Sequence, residues 1–544
     1  MKRKSLLVSL LICLGISLLL TAGCGQGNTS TTAVDNNPQT GGVLRYPLLD
    51  DPASLDPAKF SDELSIDVGK EIFDGLVDID SSTNKVVAAH AEKWDVKDNT
   101  VFTFHLLQGA KFHNGKEVTA EDFKYSFERL LDPQIASEVG WVLAGVKGAE
   151  DRMSGKAEDT EGIKVIDKYT LEITLESAAP AFLSMMSSPV AVVVDKASVE
   201  KAQTGGKAFA ATGAGPEVVV GTGPFKLSQW VPKNVIKIVR NDEYYGRKAY
   251  LDGVDFRIIP DETTTLNEFR AGNLDFTDRI PPGQVKVVEQ EFSNQVIQNS
   301  LCQVEFYGLN TTQEPFNNVK LRQALNFAVD REGIIKAVME GIGVPAKGVL
   351  PPGLPEYSET LKGYAYDQAK AKSLLAEAGY PEGNGLKEIE LTYNNNRETN
   401  QKIAEAVQAQ LKEIGVKVKL RGVPLPSFKD ELFNGNLSFY RMGWVADYLD
   451  AGYFLNPLFR SEGEMNLSKY ANPEVDKLLA KVQSVTDEQQ RAKLYQQAEQ
   501  MIVDDAPVLF LYHPNSMYLK GKNVYGIKGN PLDLIQLSNV WISK

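Results

Sequence analysis

The segment RMGWVADY sets a cation, a flat aromatic ring and an anion three residues apart, at Arg441, Trp444 and Asp447. Side chains of these types hold a ligand by charge and by stacking, or they hold one another. An exposed ion pair between Arg441 and Asp447 would contribute only about 0–1 kcal/mol. In a straight strand the two would point to one face about 20 Å apart, at roughly 3.3 Å per residue.

Catalytic chemistry has no comparable signature. The glycine-rich GTGPF at 221–225 ends in proline and is expected to be a turn before a strand, because a phosphate loop needs G-x-x-x-x-G-K-[ST]. The histidines His90, His105, His113 and His513 are scattered without metal-ligand spacing. No G-x-S-x-G elbow is present, and no cysteine stands in a nucleophile signature. No cofactor, no metal and no enzymatic activity are expected.

The elements that must position these residues change character along the chain. VFTFHLL (101–107) alternates as a strand does, and TAEDFKYSFERLL follows as a helix with Thr119 as N-cap and Phe123, Phe127 and Leu130 on one face. LEITLE near 171–176, AVVVD at 191–195, IKIVRN and VDFRIIPD are further expected strands, so the first 300 residues read as mixed α+β. After Asn310 strand and helix alternate. FNNVKLRQALNFAVD and YDQAKAKSLLAEAGY, the latter capped by Asp367 and stopped at Gly379, are helices. IELTYN, VKVKLRG and LSFYRMGW are strands separated by helices, which implies an α/β layer with some parallel pairing. Two lobes of different character imply a ligand cleft between them.

The N-terminus carries a basic start, a short apolar run from Leu6 to Leu20 and the ending LTAGC. This is the pattern of a secretory leader. The cysteine at the cut resembles a bacterial lipobox, which assigns 1–23 to a signal peptide and Cys24 to acylation. The polar 24–40 stretch is a tether. Losing Lys2, Arg3 and Lys4 with the leader takes the net charge from −13 to −16, which argues against nucleic acid and against a basic membrane-binding face. Membrane attachment would then rest on the lipid. Cys302, in the apolar SLCQVEFYGL, is expected to be buried filler.

WDVKDNTVFTFHLLQGAKFHNGKEVTAEDFKYSFERLLDP resembles the signature segment of the family 5 extracellular solute-binding proteins, the peptide-binding components of ABC importers. GTGPFKLSQWVPKNVIKIVRNDEYYG, YLDGVDFRIIPD, FNNVKLRQALNFAVDREGII, SLLAEAGY, GWVADYLDAGYFLNPLF and GNPLDLIQLSNVWISK match in order from about Gly41, nearest to the oligopeptide-binding branch. The resemblance implies an α/β (mixed α+β) fold: a two-lobed, periplasmic-binding-protein-like clamp with an extra subdomain in lobe I. Lobe I would span 41–303 and 508–544, with the subdomain at about 73–197, and lobe II would span 304–507.

Function follows in the same terms. The protein would be a lipid-anchored, extracytoplasmic receptor, a monomer, that takes oligopeptides as an extended strand and hands them to ABC importer permease subunits. The alternative is the same clamp for another solute, an oligosaccharide or a metal chelate. By resemblance Asp447 meets the peptide α-ammonium and Arg441 a carboxylate. The chain at Trp444 and Val445 pairs with the peptide from one side, and Ser61, Asp62 and Glu63 align with the strand that pairs from the other. Asn394, His513 and Trp141 fall at pocket positions. Some relatives carry a cysteine in place of Val445, and that disulfide is impossible here. A family histidine would fall near Thr399, where no basic residue is evident.

Overall fold

The computed structural model describes residues 37–206, 208–281 and 283–543. The leader, Cys24 and most of the tether lie outside the described residues. No described helix is long and apolar enough to cross a membrane.

The first lobe is built on a four-stranded sheet. Val43–Leu48 pairs in parallel with Gly253–Ile258, which continues antiparallel into Val235–Arg240 and Phe225–Val231. Alternation sends Leu44, Tyr46, Leu48, Ile236, Ile238, Val254 and Phe256 inward. A second four-stranded sheet orders Ala91–Lys97, Val101–Leu106, Thr170–Thr174 and Ile163–Asp167. Helix Ala120–Leu131 covers it with the fully buried Phe123 and Phe127. The Thr119 backbone N–H donates to the Asp122 carboxylate at 2.9 Å, the N-cap arrangement expected from sequence. One continuous apolar core joins both sheets.

The second lobe holds a six-stranded sheet in the order Val344–Pro345, Val508–His513, Gln303–Leu309, Phe439–Val445, Ile389–Asn394 and Val418–Val423. The last two strands are parallel, bridged by helix Glu398–Glu413. Helices cover both faces, which explains the uninterrupted apolar strands. Leu509 and Leu511 face one layer of core, and Val508 and Phe510 face the other.

Two expectations are corrected here. Val508–His513, assigned to the first lobe, pairs antiparallel with Gln303–Leu309 in the second lobe's sheet. The return comes one strand later, at Asn515–Lys520, which lies between Phe276–Thr277 and Val296–Ser300. A single apolar run, VLFLYHPNSMYL, serves two sheets, and Pro514 breaks it where the lobes change. Second, AVVVD at 191–195 is not a strand and makes one bridge, Gly75 to Val192. Its apolar character comes from burial on all sides, while Asp195 caps helix Lys196–Thr204.

Both crossings between the lobes lie side by side. Leu301 N–H donates to Pro514 O at 3.2 Å, and His513 Nδ1 lies 3.0 Å from Gln303 O.

Candidate functional site

The strand Phe439–Val445 ends at Val445, and the chain bends through Asp447–Leu449. The bend carries Asp447 out of the sheet onto an exposed position. There it accepts the Tyr453 hydroxyl proton. Tyr453 is placed in turn by Trp444, whose indole Nε1 donates to Tyr453 O at 2.9 Å. Trp444 therefore orients the residue that orients Asp447. Burial, and next the hydroxyl's bond to the carboxylate, push the Tyr453 phenol well above its ordinary value.

Arg441 is committed elsewhere. Its Nη2 lies 2.5 Å from Oε2 of Glu305 on the neighbouring strand. Glu305 stands opposite Gly443, and a Cβ at Gly443 would meet Glu305 Oε1 at 2.4 Å, so the glycine makes room for the carboxylate. Glu305 also accepts from Gln303 Nε2 at 3.1 Å. Burial raises its pKa, and Arg441 and Arg397 oppose the rise. Arg397 corrects the expectation that no basic residue stands near Thr399: it lies two positions earlier and acts on the same carboxylate.

A cavity of about 670 Å³ opens between the lobes. It brings together Ser61, Asp62, Glu63, Trp141, Val445 and Asp447 of the expected site residues. Arg441, Asn394 and His513 do not line it, and Trp444 lines an adjacent cavity of about 480 Å³ with Tyr448 and Tyr453. Trp141 stacks on Tyr448 across the lobes at 6.4 Å. Val445 is 58% exposed at the cavity edge, and Ala446 N–H is tied to Cys302 O at 2.9 Å.

The first-lobe wall differs from the expected strand. Asp62 caps helix Glu63–Gly69 by accepting Ser65 N–H at 2.9 Å, and Glu63 is the first helical residue. An Asp followed by good helix formers ends an extended segment, and Asp62 itself keeps extended backbone as the cap, with the helix beginning at Glu63.

The other expected pocket residues are buried in the second lobe. His513 is 2% exposed, and burial lowers its pKa to about 4, so it is neutral. Asn394 is 4% exposed; its Nδ2 donates to Asn396 and its backbone carbonyl accepts from Asn400 Nδ2 at 3.0 Å. Cys302 is a buried free thiol raised far above its ordinary value by burial.

Sequence reasoning missed Ile66, Asp67, Glu138 and Asp533, which also line the cavity. The available signal was helical spacing: Glu63, Ile66 and Asp67 fall on one face of the helix that Asp62 caps. With Asp62, Glu63 and Asp447 the described lining holds six carboxylates and no lysine, arginine or histidine.

The profile of the bacterial extracellular solute-binding proteins, family 5 (middle), matches residues 85–466. The periplasmic oligopeptide-binding protein OppA of Salmonella typhimurium is 33% identical over 509 residues, covering 90% of this chain and 91% of that one. Among solved structures, the unliganded open form of MppA, a periplasmic murein tripeptide binding protein, superposes with a TM-score of 0.86 at 30% identity, covering 93% of this chain and 98% of that one. Haemophilus influenzae OppA in complex with the peptide RPPGFSPFR gives 0.66 at the same identity, covering 93% of this chain and all of that one (100%). At the same identity, this chain superposes more closely on the unliganded open form than on the peptide complex.

Proposed function

The chain belongs to the bacterial extracellular solute-binding proteins of family 5, and from that premise we propose that it captures short peptides between its lobes and delivers them to the permease of an ABC importer. The observation that carries this is Asp447. It is an exposed carboxylate, held by Tyr453, at the edge of an interlobe cavity whose described lining has no cation to neutralise it. That site is complementary to an α-ammonium group. Beside it the strand end at Val445, and the carbonyl of Ser61 across the cavity, offer main chain to an extended peptide. Backbone pairing of this kind gives affinity without sequence preference.

Arg441 enters this reading as the partner of Glu305, so a peptide carboxylate would have to displace that pair to reach it. Trp444 acts through Tyr453. The protein works outside the cytoplasm as a monomer. It is a binding component, and the reaction it serves is transport.

Closure follows from donors on both walls: a ligand shifts the lobes only through contacts that the open form lacks. Small-angle scattering with and without saturating tri-alanine is expected to show a smaller radius of gyration in the complex. An unchanged radius in a complex verified by calorimetry would mean a rigid site. Failure of tri-alanine and longer peptides to bind at all would reject the peptide reading in favour of another solute.

The anchor is proposed at Cys24. Several acyl chains bury many methylenes at about 0.8 kcal/mol each. Intact mass of membrane-extracted protein is expected to give an acylated N-terminus at residue 24, and Cys24→Ala an unlipidated precursor. A lipid-free mature N-terminus elsewhere would reject the anchor.

A further inference from the structure

Among the described residues the buried carboxylates have partners, with one exception. Asp56 is gripped by Arg129, Asp275 by Arg45, Asp122 and Asp195 by Lys116, Glu71 by Lys70, and Glu305 by Arg441. Glu499 accepts two backbone N–H groups, Asp450 accepts Gly452 N–H, and Glu356 lies 3.8 Å from Arg491. Asp67 is 8% exposed and has no hydrogen bond or ion pair among the described residues. It lies on helix Glu63–Gly69 and lines the interlobe cavity from the first lobe.

The charges around it leave it unmatched. On its own helix Glu63 faces it, and Lys70 follows, engaged with Glu71 at 3.3 Å and Ile535 O at 2.6 Å. From the strand end after Thr277 come Asp278 and Arg279, and from Val43–Leu48 comes Tyr46. Arg279 is shared between Glu63 at 3.4 Å and Asp278 at 3.3 Å. A buried carboxylate is costly unless paired, and the vacant side of Asp67 is the cavity.

We propose that Asp67 receives a cationic side chain of the bound peptide, so that the cleft selects ligands carrying a lysine or arginine. This rests on the peptide reading and adds a second, separate anchor: Asp447 on the other lobe takes the α-ammonium, and Asp67 takes the side chain. Burial pushes the Asp67 carboxyl up to about 8, so the empty cleft holds it protonated at neutral pH. Arrival of a cation displaces that proton to solvent. Affinity for basic peptides then rises with pH by up to about tenfold per unit below pH 8, while neutral peptides lack this dependence.

The test is calorimetry with tri-alanine carrying lysine at each position in turn, against norleucine at the same position, at about pH 6.5 and about pH 8.5 in buffers of different ionisation heat. At least one lysine peptide is expected to outbind its norleucine twin by about tenfold or more at the higher pH and to release close to one proton at the lower. Asp67→Asn is expected to abolish both the lysine preference and the proton release. Tri-alanine binding without lysine preference, or a preference that survives Asp67→Asn, overturns the proposal and leaves the peptide reading standing. If no peptide binds, both fall.

A ligand-free measurement guards against a variant that misfolds. The folded-state pKa lies above the unfolded value, so wild type loses stability as pH rises from about 4 towards about 8, and Asp67→Asn does not lose that part. Melting curves of the two that stay parallel from about pH 5 to about pH 9 would overturn the buried, unpaired acid on which the proposal stands.

Discussion

Asp447→Ala is expected to weaken every peptide with a free amino terminus by roughly 30- to several thousand-fold. The loss corresponds to about 2–5 kcal/mol, the cost of truncating one partner of a buried, hydrogen-bonded charge pair. Asp447 is exposed, so the proposed pair would form and lose water only when the lobes close over the ligand. That is why the effect should exceed that of an ordinary surface ion pair. N-acetylation of the peptide removes the same contact from the other side. The two changes together should therefore cost far less than their sum. Tyr453→Phe provides a graded control: it keeps the carboxylate and removes the hydroxyl that holds it, so a smaller loss is expected. The measurement is calorimetry on the four-corner cycle of Asp447→Ala and acetylation. Equal affinity of acetylated and free peptides for wild type would remove Asp447 as the amine receptor.

The second large effect is on the fold. Arg441→Ala is expected to destabilise the second lobe by about 3 kcal/mol, the lower end of the range for stranding one member of a buried pair. Glu305 is 7% exposed and Arg441 25% exposed, so solvent screens the pair little. Gln303 and Arg397 remain to support Glu305, which places the loss at the lower end. Glu305→Gln on top of Arg441→Ala should recover much of it, because the charge left behind is then gone. The deficit also has a pH dependence. Glu305 has its folded pKa raised by burial, so stability falls as pH rises through that value. Without Arg441 the rise is larger, and the variant should approach wild type in mildly acidic solution. Urea unfolding at two pH values checks this. Binding separates the roles: if wild type holds C-terminally amidated and free tripeptides equally well, Arg441 serves the sheet alone. A strong preference for the free acid would show that a ligand carboxylate does compete with Glu305.

Most of the architecture was legible because the sequence states it locally. Thr119, Asp367 and Gly379 mark helix ends by cap chemistry that needs no tertiary partner. The alternation in VFTFHL and the strand–helix–strand rhythm after Ile389 are periodicities of single elements. What failed were statements about what an apolar run faces. AVVVD and VLFLYH are both continuously apolar. The first is a buried extended segment, and the second is a strand covered on both sides. Composition is the same in the two cases, and only the neighbours differ.

The site divides in the same way. The chain bends after Val445 and leaves Asp447 exposed, which the strand pattern of LSFYRMGW does not announce. The destination of Arg441 depended on Glu305, more than 130 residues away, and on the absent side chain of Gly443. Asp67 was invisible because its importance is a missing partner, a property of three-dimensional surroundings. Ser61, Asp62 and Glu63 line the cavity, but the cap chemistry of Asp62, legible in principle, starts a helix at Glu63.

The strand Asn515–Lys520 lies at the centre of its sheet, between Phe276–Thr277 and Val296–Ser300. Its two neighbours are made by the ribosome more than 200 residues before it. Throughout that interval the earlier half of the protein has a gap where a strand belongs, with Val296–Ser300 and Phe276–Thr277 presenting unpaired backbone. The second lobe waits for the same piece of chain: its strand Val508–His513, which lies between Val344–Pro345 and Gln303–Leu309, is made just before Asn515. Nascent chains of this protein therefore pass through a long stage in which both halves hold open edges, the condition under which strands pair with the wrong chain. The carboxyl-terminal residues are in this sense the closing piece of the amino-terminal half. Removing them would open the first lobe at its middle.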